Sequence, residues 1–359
     1  MSAMLVAMAA AAMAEPPPPG KAVKILSPRF FPGWQARDVC HPFVVQEAPG
    51  RYRMYYSGSG AEQHNESVWD QWVTGCVTST DTLAWRFPDS YEPALFARKL
   101  LEGEALDPKE LASQFDSVHA VGACIVRDGP AWKAWYTGWN GRTEHLGRGL
   151  TRKVEFRIGH ATSPDGLAWV KVAGSAGAGA VLGLGEPGQP DSTGAAHPHV
   201  IHEGGTYRMW YEGYDGKAWR LLHATSPDGR AWTKRGVALD LGDGESLDEQ
   251  GLRNPVVLKR RDRYELWYQG QSRRSRPSFH ILRAVSADGL KWAKVGGEVG
   301  LHPDPPISGD EQVLVDSAMV LEDGAVQVFF ARQIATPRTL TYGTVTDLNF
   351  HIYTEVVDP

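Results

Sequence analysis

Five acidic side chains recur near predicted strand ends and are the chain's main candidates for acid/base chemistry. They are Asp38, Asp116, Asp191, Glu212 and Asp248. Carboxyl groups can supply both the proton donor and the proton acceptor of general acid/base catalysis. Asp116, Asp191 and Asp248 each precede an aligned position by six residues, as Asp310 also does. An Asp at such a place also commonly caps its own turn, so the spacing leaves a structural role open.

The aligned position itself forms a second candidate set. It carries His41, Gly122, His197, Asn254 and Asp316. We expect four of these, together with two nearby residues, to bind substrate: His41, His119, His197, Arg253, Asn254 and Asp316. Histidine also exchanges protons near neutral pH, and these histidines could hold a divalent metal with Asp191 and Asp248. No HExxH or similar motif accompanies them, so the sequence assigns no metal or other cofactor.

Glu212 is the only acid in a third set of aligned residues, which closes the middle strand of each repeat. Its counterparts are Ser57, Thr137, Gln269 and Ala331. Strand alternation does not decide which face of the sheet its side chain occupies. A carboxyl that faces inward beside aromatic residues has a raised pKa, as a general acid requires. An exposed Glu at a strand end is the alternative.

These candidates lie on a repeated three-strand unit. In residues 191–232 an apolar strand at His199–Ile201 is followed by an alternating strand at Tyr207–Tyr211 and a third strand at Leu221–Thr225. Period-two runs joined by Gly/Asp turns predict an antiparallel meander.

A Ser-x-Asp-Gly-x-x-Trp sequence closes the unit. It occurs at Ser163–Trp169, Ser226–Trp232 and Ser286–Trp292. Its Asp and Gly are typical of a turn, and we expect its Trp to pack between neighbouring units.

The unit occurs five times, which predicts one closed all-β body instead of two separate domains. The copies cover residues 37–85, 116–169, 191–232, 248–292 and 310–359. Repeated meanders predict a single five-bladed β-propeller with a central axial funnel over residues 21–359, since a closed ring removes open sheet edges. Val23–Leu26 is expected to add the outer strand of the last blade. A two-sheet sandwich is the alternative fold.

The net charge and composition of the chain limit the classes of molecule that it is expected to bind. A formal net charge of -5 provides no basic face for nucleic acid or an anionic membrane, so we expect a small molecule or a sugar. Residues 1–20 are rich in Ala and Pro, and residues 2–14 resemble a signal peptide, although they contain no Lys or Arg. A cleaved signal predicts a secreted or periplasmic protein, and otherwise the prediction is cytoplasmic. The sequence leaves the oligomeric state open.

The repeat resembles the five-bladed propellers of glycoside hydrolase families 32, 43, 62 and 68 and of the related mannoside phosphorylases. The shared features are the inner strand entered through x-Pro, the Tyr-rich middle strand ending Tyr-x-Gly, and the Ser-x-Asp-Gly-x-x-Trp closure. They extend over nearly all of the chain after about residue 30. The resemblance implies a carbohydrate substrate in a funnel where two Asp and one Glu cleave a glycosidic bond.

The resemblance also implies roles for single residues. Asp38 would be the general base, Asp116 or Asp191 the pKa modulator, and Glu212 the general acid. The chain departs from the families at His41 and His197, which stand where acids are usual. A glycosidase-like enzyme is the leading hypothesis. A non-catalytic carbohydrate-binding propeller and a His/Asp metal-dependent enzyme on the same scaffold are the alternatives.

Overall fold

The computed structural model describes residues 16–28, 37–59, 72–87, 114–140, 143–145, 150–152, 155–275, 278–307, 311–340 and 343–357. Every regular element within these ranges is a β-strand, which confirms the predicted all-β class. In this part of the chain no helix has the length and apolar character needed to cross a membrane. The signal-like residues 1–15 lie outside the described ranges, and the predicted domain limits stay predictions.

The strands form five antiparallel units that follow one another along the chain. Strand β1 (Val23–Leu26) comes first. Unit one contains β2 (Asp38–Ala48), β3 (Arg51–Ser59) and β4 (Trp72–Ser79). Unit two contains β5 (His119–Asp128) and β6 (Ala131–Trp139), then a small hairpin of β7 (Thr143–His145) and β8 (Leu150–Arg152), then β9 (Arg157–Ser163) and β10 (Val170–Val172).

Units three to five continue the pattern. Unit three contains β11 (Gly194–Glu203), β12 (Thr206–Tyr214), β13 (Trp219–Ser226) and β14 (Thr233–Leu239). Unit four contains β15 (Gly251–Lys259), β16 (Tyr264–Gln271), β17 (Phe279–Ser286) and β18 (Ala293–Val295). Unit five contains β19 (Val313–Val320), β20 (Val326–Leu340) and β21 (Gly343–Val357).

The five units close into a ring. Their first strands β2, β5, β11, β15 and β19 contact one another in that order, and β19 contacts β2. Across this last contact the backbone N–H of Val44 donates to Ser317 Oγ at 3.0 Å. We call the units blades and their first strands the inner strands, because these pairings are those expected of a five-bladed β-propeller and not of a sandwich.

The ring is latched by a strand from the start of the chain. Strand β1 pairs antiparallel with β21, with Val23 opposite Thr354 and Lys24 opposite Tyr353. The predicted outer strand at Val23–Leu26 is therefore confirmed. It covers an edge of the last blade that would otherwise present unpaired backbone groups.

The closing motif joins neighbouring blades. In the third blade Ser226 and Asp228 hold the turn through hydrogen bonds to backbone N–H groups. Trp135 of the second blade donates its Nε1–H to the carbonyl of Gly229 at 2.7 Å, and Trp232 packs edge-on against Trp135 with ring centroids 6.0 Å apart. A Cβ at Gly229 would lie 2.6 Å from Trp135, so only glycine lets the two blades approach this closely. The predicted packing of the Trp between units is confirmed.

Candidate functional site

Each inner strand carries a β-bulge at the aligned position. The ladder shifts register between Cys40 and Phe43, Val121 and Cys124, Ala196 and His199, Arg253 and Val256, and Val315 and Ser317. The backbone is left-handed at His41, Gly122, His197 and Asn254, with φ of 49°, 58°, 43° and 50°. For residues with a side chain this conformation costs about 1–3 kcal/mol. All five aligned residues border one cavity of about 20 Å³ between the inner strands, so the bulges bring them together.

His41 and Asp316 join the first and last inner strands. Nδ1 of His41 lies 2.8 Å from Oδ1 of Asp316, and the side-chain amide of Asn254 donates to the same oxygen at 3.0 Å. Burial lowers the pKa of His41, but the neighbouring side chains of Cys40 and Asp316, through charge and hydrogen bonding, outweigh burial and raise this pKa well above the usual 6.5. The Asp316 carboxylate therefore favours the imidazolium form of His41.

Glu212 is fully buried and holds the second histidine. Its Oε1 accepts hydrogen bonds from Nδ1 of His197 at 2.8 Å and from the backbone N–H of Asn254 at 2.6 Å. Its Oε2 accepts one from Nε of Arg253 at 3.2 Å. Burial raises the pKa of this carboxyl, but the three donors outweigh burial and lower it to about 2. The predicted raised pKa was wrong, because hydrogen-bond donors and positive charge surround the carboxylate.

The imidazole rings of His41 and His197 are neighbours where the five inner strands meet. The ring centroids of His41 and His197 lie 4.7 Å apart, with the planes tilted by 35°. The backbone N–H of His197 donates to Thr137 Oγ1 at 2.8 Å, which fixes the bulge to the second blade. A Cβ on Gly122 would lie 2.8 Å from Cδ2 of His197, so the glycine of one blade makes room for the histidine of the next.

A larger cavity of about 240 Å³ adjoins these histidines. Its lining includes the imidazoles of His41, His119 and His197, the Arg253 guanidinium and the side chain of Asn254. The rest of the described wall is formed by Cys40, Trp72, Val121, Thr137, Phe156, Gln269, Phe279, Gln312, Leu314 and Phe350. No Asp or Glu is among the described residues that line it. We call it the axial cavity.

Five of the six predicted substrate-binding residues therefore line the axial cavity. Of these, His119 also packs edge-on against Trp139 with ring centroids 4.8 Å apart, and the Arg253 guanidinium lies 4.7 Å from the centre of the Trp219 ring. The sixth, Asp316, lies behind His41 and borders the small cavity. Their predicted contact with substrate stays a prediction.

The structure places Asp38 away from the axial cavity lining. It is buried, its Oδ2 accepts a hydrogen bond from Ser59 Oγ at 2.9 Å, and its Oδ1 accepts one from the backbone N–H of Phe350 at 2.9 Å. The bond from Phe350 ties the first blade to the last. Asp38 thus has a structural use in this geometry.

The other three predicted catalytic acids share one structural motif. Each Asp accepts a hydrogen bond from a Tyr of its middle strand and pairs with a Lys of its outer strand. The sets are Asp116 with Tyr136 and Lys171, Asp191 with Tyr211 and Lys234, and Asp248 with Tyr268 and Lys294, at distances of 2.5 to 2.9 Å. None of the three lines the axial cavity. Asp310 lies outside the described residues.

Both partners of these acids have a sequence signal that the repeat comparison missed. The Tyr follows the Asp by 20 residues in all three blades. The Lys follows the Trp of the closing motif by two residues. Two of the missed cavity residues, Thr137 and Gln269, occupy the same aligned column as Glu212. No signal distinguished the aromatic wall residues from the other aromatics of the chain.

Within the described ranges, no group of three or more His, Cys, Asp and Glu side chains is arranged to hold a metal ion. Arg253 pairs with Glu212, with Nε 3.2 Å from Oε2.

The sequence matches no family model. It is 30% identical over 203 residues to two uncharacterized proteins of Mycobacterium tuberculosis, MT1551 of strain CDC 1551 / Oshkosh and Rv1502 of strain ATCC 25618 / H37Rv. The match covers 53% of this chain and 60% of each relative, so the chain spans about three fifths of the curated relatives it matches.

Solved structures share the fold over nearly the whole chain. The protein BT0996, solved as an RGII complex, has a TM-score of 0.61 at 15% identity, with 94% of this protein and 91% of BT0996 covered. The β-1,2-mannobiose phosphorylase of Listeria innocua, solved with β-1,2-mannobiose, has a TM-score of 0.58 at 11% identity, with 93% of this protein and 94% of the phosphorylase covered. The fold is thus that of the β-propeller glycosidases and related phosphorylases.

Proposed function

We propose that the protein is a carbohydrate-active enzyme that cleaves a glycosidic bond in the axial cavity, with His41 and His197 as its proton-transfer groups. One observation carries the proposal: both imidazoles line the cavity, and each has its Nδ1 at 2.8 Å from a carboxylate behind it, Asp316 or the buried Glu212. In each pair a carboxylate oxygen accepts the Nδ1–H, which leaves Nε2 as the nitrogen that exchanges a proton.

His41 is the proposed proton donor. The Asp316 carboxylate favours its protonated form, so its Nε2–H can protonate the departing glycosidic oxygen as the bond to the anomeric carbon breaks. Asp316 is a positioning residue, because it contacts His41 and Asn254 and does not line the axial cavity.

His197 is the proposed proton acceptor for the water that attacks the anomeric carbon. Glu212 stays ionised and orients the ring, in the manner of the carboxylate in a Ser-His-Asp triad. This assignment replaces the role of Glu212 as general acid, since a carboxyl with a pKa of about 2 is not protonated at neutral pH.

The rest of the cavity suits a sugar. Aromatic side chains such as Trp72, Phe156 and Phe279 offer apolar faces, and Gln269 and Gln312 offer hydrogen-bond donors and acceptors for hydroxyl groups. Sites for small ligands commonly combine apolar walls with a few polar groups that set orientation. The carbohydrate-processing proteins that share the fold support the same substrate class.

The test is a screen of the full chain against a panel of glycosides and oligosaccharides, with released sugar as the readout. We expect the wild type to cleave at least one substrate, and His41→Gln and His197→Gln each to lower kcat by about 100-fold or more, the range seen for positioned acid/base groups. His302→Gln is the matched control, since this side chain is 61% exposed and does not line the axial cavity. Full activity in both cavity variants would overturn the assignment.

A non-catalytic carbohydrate-binding propeller is the second candidate. It is favoured by the lack of Asp and Glu among the described residues of the axial cavity wall. It predicts that a sugar from the same panel binds without being cleaved. It also predicts that His41→Gln changes affinity and produces no change in the sugar recovered after incubation.

A further inference from the structure

The described wall of the axial cavity carries four groups able to bear positive charge and no carboxylate. These groups are His41, His119, His197 and Arg253. The negative charges that offset them stand behind them: Glu212 is fully buried, and the Asp316 side chain is 10% exposed. A ligand in the cavity therefore meets cationic groups before it meets the carboxylates.

Arg253 is placed to bind an oxyanion. Its Nε is used by Glu212 at 3.2 Å, and its guanidinium is held 4.7 Å from the centre of the Trp219 ring. Among the described residues the guanidinium makes no second hydrogen bond, and 30% of the side chain is exposed. The two Nη groups thus remain for a planar, bidentate pairing, which is the geometry by which arginine binds carboxylates and phosphates.

His41 adds a second cation on the same wall. Its ring contacts that of His197, Asp316 lies on the Nδ1 side, and the residue lines the axial cavity. Both cations have carboxylate partners behind them, but the Nη groups of Arg253 have no hydrogen-bond acceptor among the described residues. A neutral sugar that excludes water from the cavity would leave these charged donors without an ionised acceptor, which is costly.

We propose that the substrate of the axial cavity is an anionic sugar, whose carboxylate or phosphate group pairs with Arg253. The proposal rests on the proposed function, since it names the substrate class of the same cavity. The aromatic wall takes the sugar ring, and Arg253 and His41 select the charged substituent.

Calorimetric titration of the full chain tests this inference. The probes are glucuronic acid, galacturonic acid, glucose 6-phosphate and mannose 6-phosphate, each beside its neutral parent sugar, and inorganic phosphate alone. We expect at least one acid or phosphate to bind about tenfold to 100-fold more tightly than its parent, as a hydrogen bond to a charged group provides. Comparison of the uronic acids with the phosphates then shows which oxyanion is preferred.

Variants of Arg253 separate the effect of its charge on binding from any effect on folding. Arg253→Gln is expected to abolish the preference for the anionic sugar, and Arg253→Lys to keep part of it. Arg51→Gln, at a side chain that is 67% exposed and outside the cavity lining, is expected to leave it unchanged. Thermal unfolding of each variant checks that a loss of binding is not a loss of fold.

Three results overturn the inference. The first is equal affinity for neutral and anionic sugars, which leaves the proposed function standing. The second is inorganic phosphate binding as tightly as the sugar phosphates, which means that the sugar ring is not recognised. The third is an unchanged preference in Arg253→Gln. Lack of binding by any sugar, neutral or anionic, overturns both this inference and the proposed function.

Discussion

The carboxylates of Glu212 and Asp316 differ in how many of their oxygens accept hydrogen bonds, although each lies 2.8 Å from a histidine. Glu212 has donors on both oxygens and a pKa lowered to about 2. Asp316 has donors on Oδ1, while its Oδ2 is buried with no partner among the described residues. A buried carboxylate that is fully matched works as a fixed anchor. A carboxylate with hydrogen-bond donors on only one oxygen has fewer partners to offset its charge, so it interacts more strongly with the histidine beside it.

Replacing Glu212 tests the anchor role. Glu212→Gln leaves Arg253 without its counter-ion and His197 Nδ1 without its carboxylate partner, and we expect it to lower the free energy of unfolding at neutral pH by about 3 kcal/mol. The folded-state pKa of Glu212 lies below its ordinary value of 4.5, so its contribution is fully present above about pH 4.5 and is lost as the pH falls toward 2. Urea unfolding between pH 2 and 7 measures both effects.

The matched control for this experiment is Glu245→Gln, at a side chain that is 88% exposed. It should follow the wild-type dependence of stability on pH. If Glu212→Gln has the same loss of stability toward low pH as the wild type, Glu212 is not the residue responsible.

At the level of the element, the β-bulge of each inner strand positions the residues of the site. A regular strand would alternate its side chains between two faces, and the aligned residue of each blade would not have to face the centre. The bulge adds a left-handed residue and turns its side chain toward the other inner strands. His41, His197 and Asn254 adopt this conformation although each has a side chain, so the backbone strain is concentrated where the proposed chemistry takes place.

Gly122 provides a test of this device. Gly122→Ala places a Cβ 2.8 Å from Cδ2 of His197 in a residue with φ of 58°, so we expect both a loss of stability and a displaced His197 ring. Gly129→Ala is the matched control, because Gly129 has φ of 61° with no atom within 4 Å of the added Cβ. The left-handed alanine alone costs about 1–2 kcal/mol, and the control should lose only that amount.

The comparison uses urea unfolding together with NMR signals of the His197 ring. Gly122→Ala should lose more stability than Gly129→Ala and should shift the His197 signals, which the control should not do. Equal losses in the two variants, with unshifted His197 signals, would show that the close approach does not constrain the site.

At the level of the whole molecule, the fold depends on ring closure by the two ends of the described chain. Strand β1 pairs with β21, and the first inner strand bonds to the last through His41 and Asp316. Interactions of this kind join segments far apart in sequence, so they form only when all five blades are in place.

Deletion of the latch strand tests its contribution. A chain lacking residues 1–27 loses β1 and its pairing with β21, and we expect its thermal unfolding midpoint to fall by several degrees. A chain lacking residues 1–15 keeps β1 and should unfold at the same temperature as the full chain. Equal midpoints for the two deletions would mean that β1 does not stabilise the ring.

The sequence predicted the repeated features of the molecule well and its unique ones poorly. The closing motif and the period-two strands recur, so their turns, the interblade Trp and the latch at Val23–Leu26 followed from pattern and turn chemistry. The cavity residues His41, His119, His197, Arg253 and Asn254 were reached because they share an aligned position or adjoin it.

The charge state of Glu212 lay beyond such reasoning. Its partners Arg253 and Asn254 are 41 and 42 residues away on another blade, so no local pattern indicates the donors that lower its pKa. The partners of the three Asp residues were missed for a different reason. Their position at strand entrances is real, but the Tyr and Lys that hold them decide which way the carboxylates point.

The bond between His41 and Asp316 spans 275 residues and crosses the seam of the ring. Propellers grow or shrink by duplication or loss of whole blades, and each blade of this chain carries its own turn and interblade contacts. A four- or six-bladed descendant would therefore keep well-formed blades, but the altered curvature would separate this histidine from its carboxylate. The seam bond ties the number of blades to the protonation of His41, so we expect selection for activity to conserve blade number more strictly than stability alone requires.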